Sequence, residues 1–258
     1  MSGPILAAEG LVLRVEGATL VDGVTLALAA GEVLAVVGPN GAGKTSLLRL
    51  LAGEVTPSAG HVTLGGVPLA SLRPLELAQR RALLPQHTLL QFAFRALDVV
   101  LMGRYPHRRS SAEEDREAVR LAMARTDTTH LAARLYPTLS GGEQTRVSFA
   151  RVLAQETPVI LLDEPTVSLD LRHQELVMGL LRSLAQEGAA VIVVLHDLNV
   201  ASRYADRVAL MHRGRLAALA PTREVLQAGL LSEVYEHPVT VIPHPYLDCP
   251  LVLPAGDG

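Results

Sequence analysis

The residues with the clearest chemical potential lie in one glycine-rich loop, at residues 38–45. Two glycines separated by four residues and followed by lysine and threonine form the pattern of a phosphate-binding loop. The apolar run at 32–37 predicts a buried strand before it, and 46–52 predicts a helix after it. Backbone N–H groups at such a helix start can surround an anion. A chance glycine-rich turn is the alternative, and the flanking strand and helix argue against it.

Lys44 is the only lysine in the chain, because the other 22 of its 23 basic residues are arginines. A compact ammonium suits the β- and γ-phosphates of a nucleotide, where a planar guanidinium is a poor substitute. The hydroxyl of Thr45 is suited to binding Mg²⁺. The residues predicted to surround the nucleotide are Gly38, Pro39, Asn40, Gly41, Ala42, Gly43, Lys44, Thr45 and Ser46.

An acidic pair, Asp163 and Glu164, follows the predicted buried strand at 158–163. An acid at the end of a strand parallel to the phosphate-loop strand can hold Mg²⁺ through water. The adjacent Glu164 can polarise an attacking water. An ordinary acidic turn is the alternative, which the upstream phosphate loop disfavours.

A second candidate anion site is formed by Ser140, Gly141 and Gly142 at the start of a predicted helix. Two glycines let the backbone approach a ligand closely, and the helix dipole favours negative charge there. Ser140 with Glu143 three residues later also fits a plain capping box. Local chemistry leaves these two interpretations evenly balanced.

Composition excludes several classes of protein. The chain has 258 residues, 49% of them hydrophobic, and a net charge of −3, which gives no basic field for nucleic acid. Its one cysteine, Cys249, cannot form an internal disulfide and fits a reducing compartment. With no apolar run of membrane-spanning length and no evident leader, we expect a cytosolic chain.

Alternating strand and helix patterns predict an α/β fold with a parallel sheet flanked by helices. Residues 5–30 predict a small β layer ahead of the phosphate loop. The segment 87–137 is mainly helical in pattern and interrupts the alternation. We therefore expect one domain, with an α/β core at 1–86 and 138–258 and a helical subdomain inserted at 87–137.

The order of the motifs resembles the ATP-binding cassette of ABC transporters. The phosphate loop is followed by Gln86, by Leu-Ser-Gly-Gly-Glu-Gln from Leu139, by Leu-Leu-Asp-Glu-Pro through Pro165, by Ser-Leu-Asp ending at Asp170, and by His196. This resemblance implies a P-loop NTPase fold of the ABC ATPase type, with a mainly parallel sheet, an antiparallel β layer and the inserted helical subdomain. It also implies an ATPase with ATP and Mg²⁺ as cofactors.

The resemblance assigns a role to each matching position. Glu164 is the implied catalytic base, His196 the switch histidine, and Gln86 the glutamine that touches Mg²⁺ and senses the membrane partner. Ser140, Gly141 and Gly142 would grip the γ-phosphate of ATP bound to another subunit, beside Asp170. The implied catalytic residues are therefore Glu164, His196, Lys44 and Gln86, and the implied metal-binding residues are Thr45, Gln86 and Asp163.

The same resemblance implies an assembly. Because the phosphate loop and the Ser-Gly-Gly motif of one chain would face different nucleotides, a homodimer of cassettes is expected. Two transmembrane permease subunits would join it at the cytoplasmic face of the inner membrane, as a peripheral subunit, and a periplasmic binding protein would act indirectly. No nucleic-acid partner is expected.

Sequence segments outside the ATPase motifs give weaker evidence about the transported substrate. The segment 102–107 resembles importers for haem, siderophores and vitamin B12, and 150–155, 170–174 and the His-Pro-containing tail at 237–254 resemble those for hemin. Siderophore, vitamin B12 and zinc importers stay open as alternatives. The transported ligand would pass through the permease, so no histidine is expected to bind haem; this covers His87, His107, His130, His173 and His212.

Cassettes of translation, drug resistance and DNA repair are disfavoured. The translation and drug-resistance types carry two cassettes in one chain, whereas this chain has one phosphate loop. The DNA-repair type places a long coiled coil between the two anion motifs. The segment between Lys44 and Ser140 has no evident heptads.

The adenine site departs from the family pattern, which places a stacking aromatic near position 15, where this chain has Val15. Nucleotide affinity is therefore weakened, or Arg14 or Val15 covers the ring. We expect Val15→Tyr to tighten ATP binding, because stacking on an aromatic contributes about 1–3 kcal/mol. That range corresponds to about 5- to 150-fold in the Kd measured by titration. An unchanged Kd would contradict this hypothesis.

Overall fold

The structure, a computed structural model, describes residues 3–86, 93–107 and 109–256. His87 and the predicted start of the helical insertion lie outside these residues. The strands described are β1 (Leu6–Val15), β2 (Ala18–Leu28), β3 (Val33–Val37), β4 (Ala59–Leu64), β5 (Val67–Pro68), β6 (Arg81–Leu84), β7 (Val159–Asp163), β8 (Ala190–Val194), β9 (Arg207–His212), β10 (Arg215–Pro221), β11 (Val239–Pro243) and β12 (Pro250–Pro254). The α-helices are α1 (Lys44–Ala52), α2 (Pro74–Ala78), α3 (Ala96–Leu101), α4 (Ala112–Arg125), α5 (Gly141–Ala154), α6 (Leu171–Gln186), α7 (Leu198–Tyr204), α8 (Thr222–Val225) and α9 (Ala228–Tyr235).

The main sheet has the strand order β10-β9-β3-β8-β7-β6. Neighbours from β9 to β6 pair in parallel, and β10 pairs antiparallel with β9. A second sheet, β2-β1-β4-β5, is antiparallel throughout. These sheets and their helices confirm the predicted fold class.

Strands β3, β7 and β8 are buried along their whole length, which explains why they read as continuous apolar runs. Alternate residues of β3 enter different cores. Leu34 and Val36 pack into the core shared with α1 and the antiparallel sheet. Val33, Ala35 and Val37 pack into the core on the opposite face, with α5, α6 and α7. The period of two along the strand thus builds both cores.

Helices α3, α4 and α5 share a third core, to which Val99, Met123 and Val147 contribute. The run Ser110-Ser111-Ala112-Glu113-Glu114 predicts a helix start, with a serine cap and acidic residues in the first turn. Helix α4 begins there, and Ser111 accepts a hydrogen bond from the Glu114 N–H in a capping box. Helix α5 also packs against β6 and the core of the main sheet. It therefore connects the helices that precede it to the sheet.

A buried arginine fastens the segment after α3 to the end of α5. The side chain of Arg104 contacts Asp115 at 2.8 Å and Glu156 at 2.5 Å, and it donates to the carbonyl of Ala154 at 2.8 Å. Only 6% of its side chain is exposed. Its single positive charge is thus paired with two carboxylates and hydrogen-bonded locally, as a buried guanidinium requires.

Two segments differ from the sequence-based expectation. The pattern at 71–81 predicts a helix, but α2 covers only residues 74–78. Arg81 instead starts β6, because its successors Ala82 and Leu84 fill the buried edge of the sheet beside β7. The second segment is α9, which was not predicted. The proline-rich tail after it, whose composition predicts an extended chain, does consist of extended strands, which pair as the β11–β12 hairpin.

Among the described helices, none combines the length and apolarity needed to cross a membrane.

The close packing of Gly103 against α5 generates a stability prediction. A Cβ at Gly103 would overlap the carbonyl oxygen of Arg151, whereas a Cβ at Gly179, on an exposed face of α6, meets nothing within 4 Å. We expect Gly103→Ala to lower the free energy of unfolding by about 1–3 kcal/mol through overpacking. The control, Gly179→Ala, should raise it by about 0.5–1 kcal/mol. Denaturant titration measures both, and equal effects of the two substitutions would contradict the prediction.

Candidate active site

The phosphate loop lies between β3 and α1, and its shape depends on glycine. Gly38, Gly41 and Gly43 have φ angles of 146°, 78° and 96°. Side chains at Gly38 and Gly43 would also overlap the carbonyl oxygens of Met211 and Leu20. No side chain caps the start of α1 at Gly43. The N–H groups of this helix start therefore have no capping side chain as acceptor, and an oxyanion bound in the loop can accept from them.

Lys44 is buried and folded onto the loop that precedes it. Its ammonium donates to the carbonyl oxygens of Gly38 at 2.8 Å and Pro39 at 2.9 Å. Burial lowers the pKa of Lys44, and the nearby charges of Glu164 and Asp163 oppose that shift. The ammonium is thus held at the mouth of the loop by neutral acceptors that phosphate oxygens can replace.

Thr45 and Asp163 meet although they are 118 positions apart. The Thr45 hydroxyl donates to Oδ1 of Asp163 at 3.2 Å. Asp163 ends β7 and is 4% exposed, and this burial raises the pKa of its carboxyl group above the ordinary value. A hydroxyl and a carboxylate are hard oxygen donors, which is the ligand chemistry that Mg²⁺ prefers. The pair therefore fits the metal site that the sequence predicts.

Gln86, Glu164 and His196 also converge. Nε2 of Gln86 donates to Oε2 of Glu164 at 2.6 Å, and Nε2 of His196 lies 2.5 Å from Oε1 of the same carboxylate. These residues follow β6, β7 and β8, which are adjacent in the sheet. The carboxyl ends of parallel strands share one edge, so the topology assembles the cluster.

Glu164 has a strained backbone. Its φ of 52° lies in the left-handed region, and its N–H donates to the carbonyl of Val194 at 3.2 Å. Such a conformation costs about 1–3 kcal/mol in a residue that is not glycine, and it persists only when the surroundings enforce it. Here the turn directs both carboxylate oxygens toward the side chains that follow the neighbouring strands.

The Ser-Gly-Gly motif starts α5 and forms a complete capping box. Ser140 Oγ accepts from the Glu143 N–H at 3.3 Å, and Oε2 of Glu143 accepts from the Ser140 N–H at 2.7 Å. Ser140 and Gly141 are exposed, and a side chain at Gly142 would crowd the carbonyl of Ser168. In the described part of the chain, no hydrogen bond or ion pair joins this motif to the phosphate loop.

Asp170 caps α6 rather than contacting the phosphate loop. Its Oδ1 accepts from the His173 N–H at 2.9 Å and lies 2.7 Å from Nδ1 of the same histidine. The segment before it is tied to α5, since the hydroxyls of Ser168 and Thr145 lie 2.8 Å apart. A cavity of about 290 Å³ separates the Gln86–Glu164 contact from the start of α5. The structure thus gathers the predicted residues into two groups.

Tyr235 adjoins the phosphate loop and was not predicted from the sequence. With Pro39 to Ala42 and the Arg213–Glu236 ion pair, it lines a cavity of about 280 Å³. Its hydroxyl is buried beside the Gly38 amide without completing a hydrogen bond, and burial raises its pKa to about 12. Nothing local distinguishes Tyr235 from the other apolar positions of α9, so only the fold could identify it.

Comparison with known proteins gives consistent matches. The family model described as "ABC transporter" matches residues 21–167. A hemin import ATP-binding protein HmuV of Nocardia farcinica is 54% identical, covering 96% of this chain and 88% of its own length. That of Streptomyces coelicolor is 53% identical, covering 98% of this chain and 91% of its own length.

Solved structures agree with these relatives. A metal-chelate-type ABC transporter in an inward-facing conformation has a TM-score of 0.84 and 29% identity, with 99% of this chain and 98% of the other covered. A bacterial ABC transporter cassette solved as a dimer has a TM-score of 0.76 and 28% identity, with 84% of this chain and 99% of the other covered.

The buried charge of Asp163 generates a pH-dependent prediction. Because burial raises its pKa, the folded chain holds this proton more tightly than the unfolded chain does. Stability is therefore retained below the ordinary pKa of 3.8 and falls as the pH rises through that value toward the raised one. We expect Asp163→Asn, without nucleotide, to have a higher Tm than wild type at pH 7, and a smaller advantage as the pH approaches 4. Thermal denaturation followed by circular dichroism measures this, and a lower Tm at pH 7 would contradict it.

Proposed function

The chain belongs to the ABC transporter family of ATP-binding cassettes, and we propose that it is the ATP-hydrolysing subunit of a bacterial hemin importer. The observation that carries its catalytic part is the position of Glu164, held between Gln86 and His196 beside the phosphate loop. The names of the relatives at 54% and 53% identity support the substrate. The 29% match to a metal-chelate-type transporter supports the wider alternative of a siderophore, vitamin B12 or zinc importer.

The nucleotide binds at residues 38–46. The N–H groups of the loop and the first turn of α1 surround the phosphates, and Lys44 exchanges its two carbonyl acceptors for β- and γ-phosphate oxygens. Thr45 and Asp163, with Gln86, hold Mg²⁺, which supplies charge neutralisation on the phosphates. The hard oxygen donors of Thr45 and Asp163 support this set.

Glu164 is the general base that orients and polarises the attacking water. Its carboxylate has two hydrogen-bonding partners, so its direction is fixed before the nucleotide arrives. His196 contacts the same carboxylate and follows β8, the strand next to β7. From this position its imidazole contacts the γ-phosphate of the bound nucleotide. Gln86 donates a hydrogen bond to this carboxylate and directly precedes the proposed helical subdomain in the chain. It can therefore couple the state of the catalytic carboxylate to the position of that subdomain.

The working site requires two copies of the chain. Ser140 and Gly141 are exposed, Gly142 is partly exposed, and the motif lies apart from its own phosphate loop. The dimeric cassette matched at 28% identity supports a pairing of two chains. The capping box does not compete with this role. Ser140 Oγ uses a lone pair to accept the Glu143 N–H, so its own O–H remains available to donate to a γ-phosphate. Asp170 lies beside this motif at the same interface.

The membrane partner is a pair of permease subunits at the cytoplasmic face of the inner membrane. Residues 87–137 are the inserted helical subdomain that meets it, and 1–86 with 138–258 are the ATPase core. Leu97 and Leu101, one helical turn apart on α3, are each 44% exposed, and Met102 follows at 37%. This exposed apolar strip supports docking of α3 against the permease. A periplasmic binding protein contacts the permease and not the cassette. The cassette itself contacts neither haem nor nucleic acid.

The test of transport function is haem-stimulated ATP hydrolysis. The chain is reconstituted in vesicles with its permease subunits and with haem-loaded binding protein outside. Hemin should stimulate hydrolysis, and a ferric siderophore, vitamin B12 or zinc should not. Stimulation by one of those ligands instead of hemin would replace the substrate assignment while leaving the ATPase role intact.

The apolar strip on α3 gives a matched pair of variants for the same assay. Leu97→Asp should preserve basal hydrolysis and reduce haem stimulation by about tenfold, because a charge in an apolar contact costs at least about 1–3 kcal/mol. Leu121→Asp on α4 starts from a similar exposure of 46% and should behave as wild type. Equal stimulation in the two variants would place the permease contact elsewhere.

Glu164→Gln tests the catalytic base. The amide keeps the size of the side chain but cannot accept a proton, so turnover should fall by about 10²- to 10⁴-fold. ATP binding should persist, and an ATP-bound dimer should accumulate in size-exclusion chromatography. Glu117→Gln, on the exposed surface of α4, is the control and should hydrolyse ATP normally. Full hydrolysis by Glu164→Gln would refute the assignment.

A further inference from the structure

The C-terminal hairpin of β11 and β12 is attached to the helix that begins just after His196. The side chain of Asn199, in α7, makes two complementary hydrogen bonds to one residue of β12. Its Nδ2 donates to the carbonyl of Val252 at 3.0 Å, and its Oδ1 accepts from the Val252 N–H at 2.7 Å. This pairing fixes the orientation of the amide, because a reversed amide would oppose donor to donor and acceptor to acceptor.

A second bond lies one turn further along α7. The Ser202 hydroxyl donates to the carbonyl of Pro250 at 2.6 Å. Asn199 and Ser202 therefore present two successive polar contacts to β12. The backbone groups of Val252 that bind Asn199 point away from β11, so the hairpin keeps its own ladder while it binds the helix.

Helix α7 has only seven residues, too few to hold a fixed direction without tertiary contacts. Its last turn is held from α6, because the Tyr204 hydroxyl donates to Glu175 at 2.8 Å. Its first turn is capped by Asp197, which accepts from the N–H of Asn199 at 2.7 Å. The backbone before His196 is held by the Leu195 N–H, which donates to the carbonyl of Val36 at 3.0 Å. Among the described residues, the hydrogen bonds that join the first turn of α7 to another element are those of the Asn199 side chain to β12.

We propose that Asn199 is a positioning residue, which fastens the start of α7 to the C-terminal hairpin and thereby sets where His196 meets Glu164. The inference rests on the proposed catalytic roles of those two residues. The side-chain amide supplies, on two separate atoms, the donor and the acceptor that the Val252 carbonyl and N–H require. The hairpin is thereby part of the apparatus for hydrolysis, although it contributes no group to the nucleotide site.

The competing explanation is purely structural, since Val252 and Val241 pack against the core beneath α7. The two explanations predict different kinetics. Loss of core packing lowers Tm and the folded fraction, which scales activity without selecting one step. Misplacement of His196 lowers kcat for ATP hydrolysis while KM for ATP, determined largely by the phosphate loop, stays nearly constant.

The experiment measures kcat, KM and Tm of the full chain for three variants. Asn199→Asp is isosteric and retains the acceptor, but it sets a carboxylate oxygen against the Val252 carbonyl. Val252→Pro removes the N–H on the other side of the same contact and leaves Asn199 unchanged. Ser202→Ala is the control, because it removes a bond to the same hairpin one turn further from His196.

We expect both Asn199→Asp and Val252→Pro to lower kcat about tenfold with KM within twofold of wild type. Ser202→Ala should keep kcat within twofold. Wild-type kcat in Asn199→Asp, or an equal loss in Ser202→Ala, would overturn the proposal. His196→Ala and Glu164→Gln are measured alongside. If they retain full hydrolysis, the proposed catalytic roles fail, and this outcome is distinguishable from failure of the positioning role alone.

Discussion

The parallel pairing of β6, β7, β8 and β3 is the constraint on which the rest of the site depends. Each strand delivers one element of the site at its carboxyl end: Gln86, the Asp163-Glu164 pair, His196 and the phosphate loop. The register matters as much as the order, because Asp163 pairs directly with Val194, two residues before His196. A one-residue slip would invert the faces of β7, so that each of its side chains would point into the opposite core.

This arrangement places buried charges and a strained backbone in one site, and the rest of the fold must offset their cost in folding free energy. Lys44 and Asp163 are charged groups held where water is scarce, and Glu164 is held at a positive φ angle. The continuous apolar strands and the two cores on either face of the sheet supply the compensating stability. Strain localised in this way is typical of sites where groups are oriented before the ligand binds.

The sequence alone predicts the parts of the fold that depend on local patterns. The buried strands, the capped helices α4 and α5, and the order of the ATPase motifs follow from periodicity, caps and spacing. The family relationship that these motifs imply is confirmed by the comparisons. The extent of the helix near residue 76 is not recoverable in this way, because the pairing of β6 with β7 decides where the helix must stop.

Contacts between residues that are far apart in the chain cannot be predicted from the sequence pattern. The bonds between Asn199 and Val252 join residues 53 positions apart, and the position of Tyr235 beside Gly38 requires α9 to reach the loop. The hydrogen-bond partners of Gln86 and Glu164 were likewise not predictable from the sequence, although the motifs predict a functional role for both residues. Motifs thus predict which side chains could take part in chemistry, whereas the fold determines which residues hold them in place.

The burial of Lys44 has a consequence for the covalent chemistry of the chain. Because it is the only lysine, every reagent that acylates or alkylates side-chain amines has a single target in the sequence. That target is 6% exposed and donates to two carbonyl groups, and its depressed pKa supplies more of the neutral, nucleophilic amine. Amine modification of side chains in this protein is therefore confined to the phosphate loop, where a bound nucleotide would compete with the reagent for the same atom.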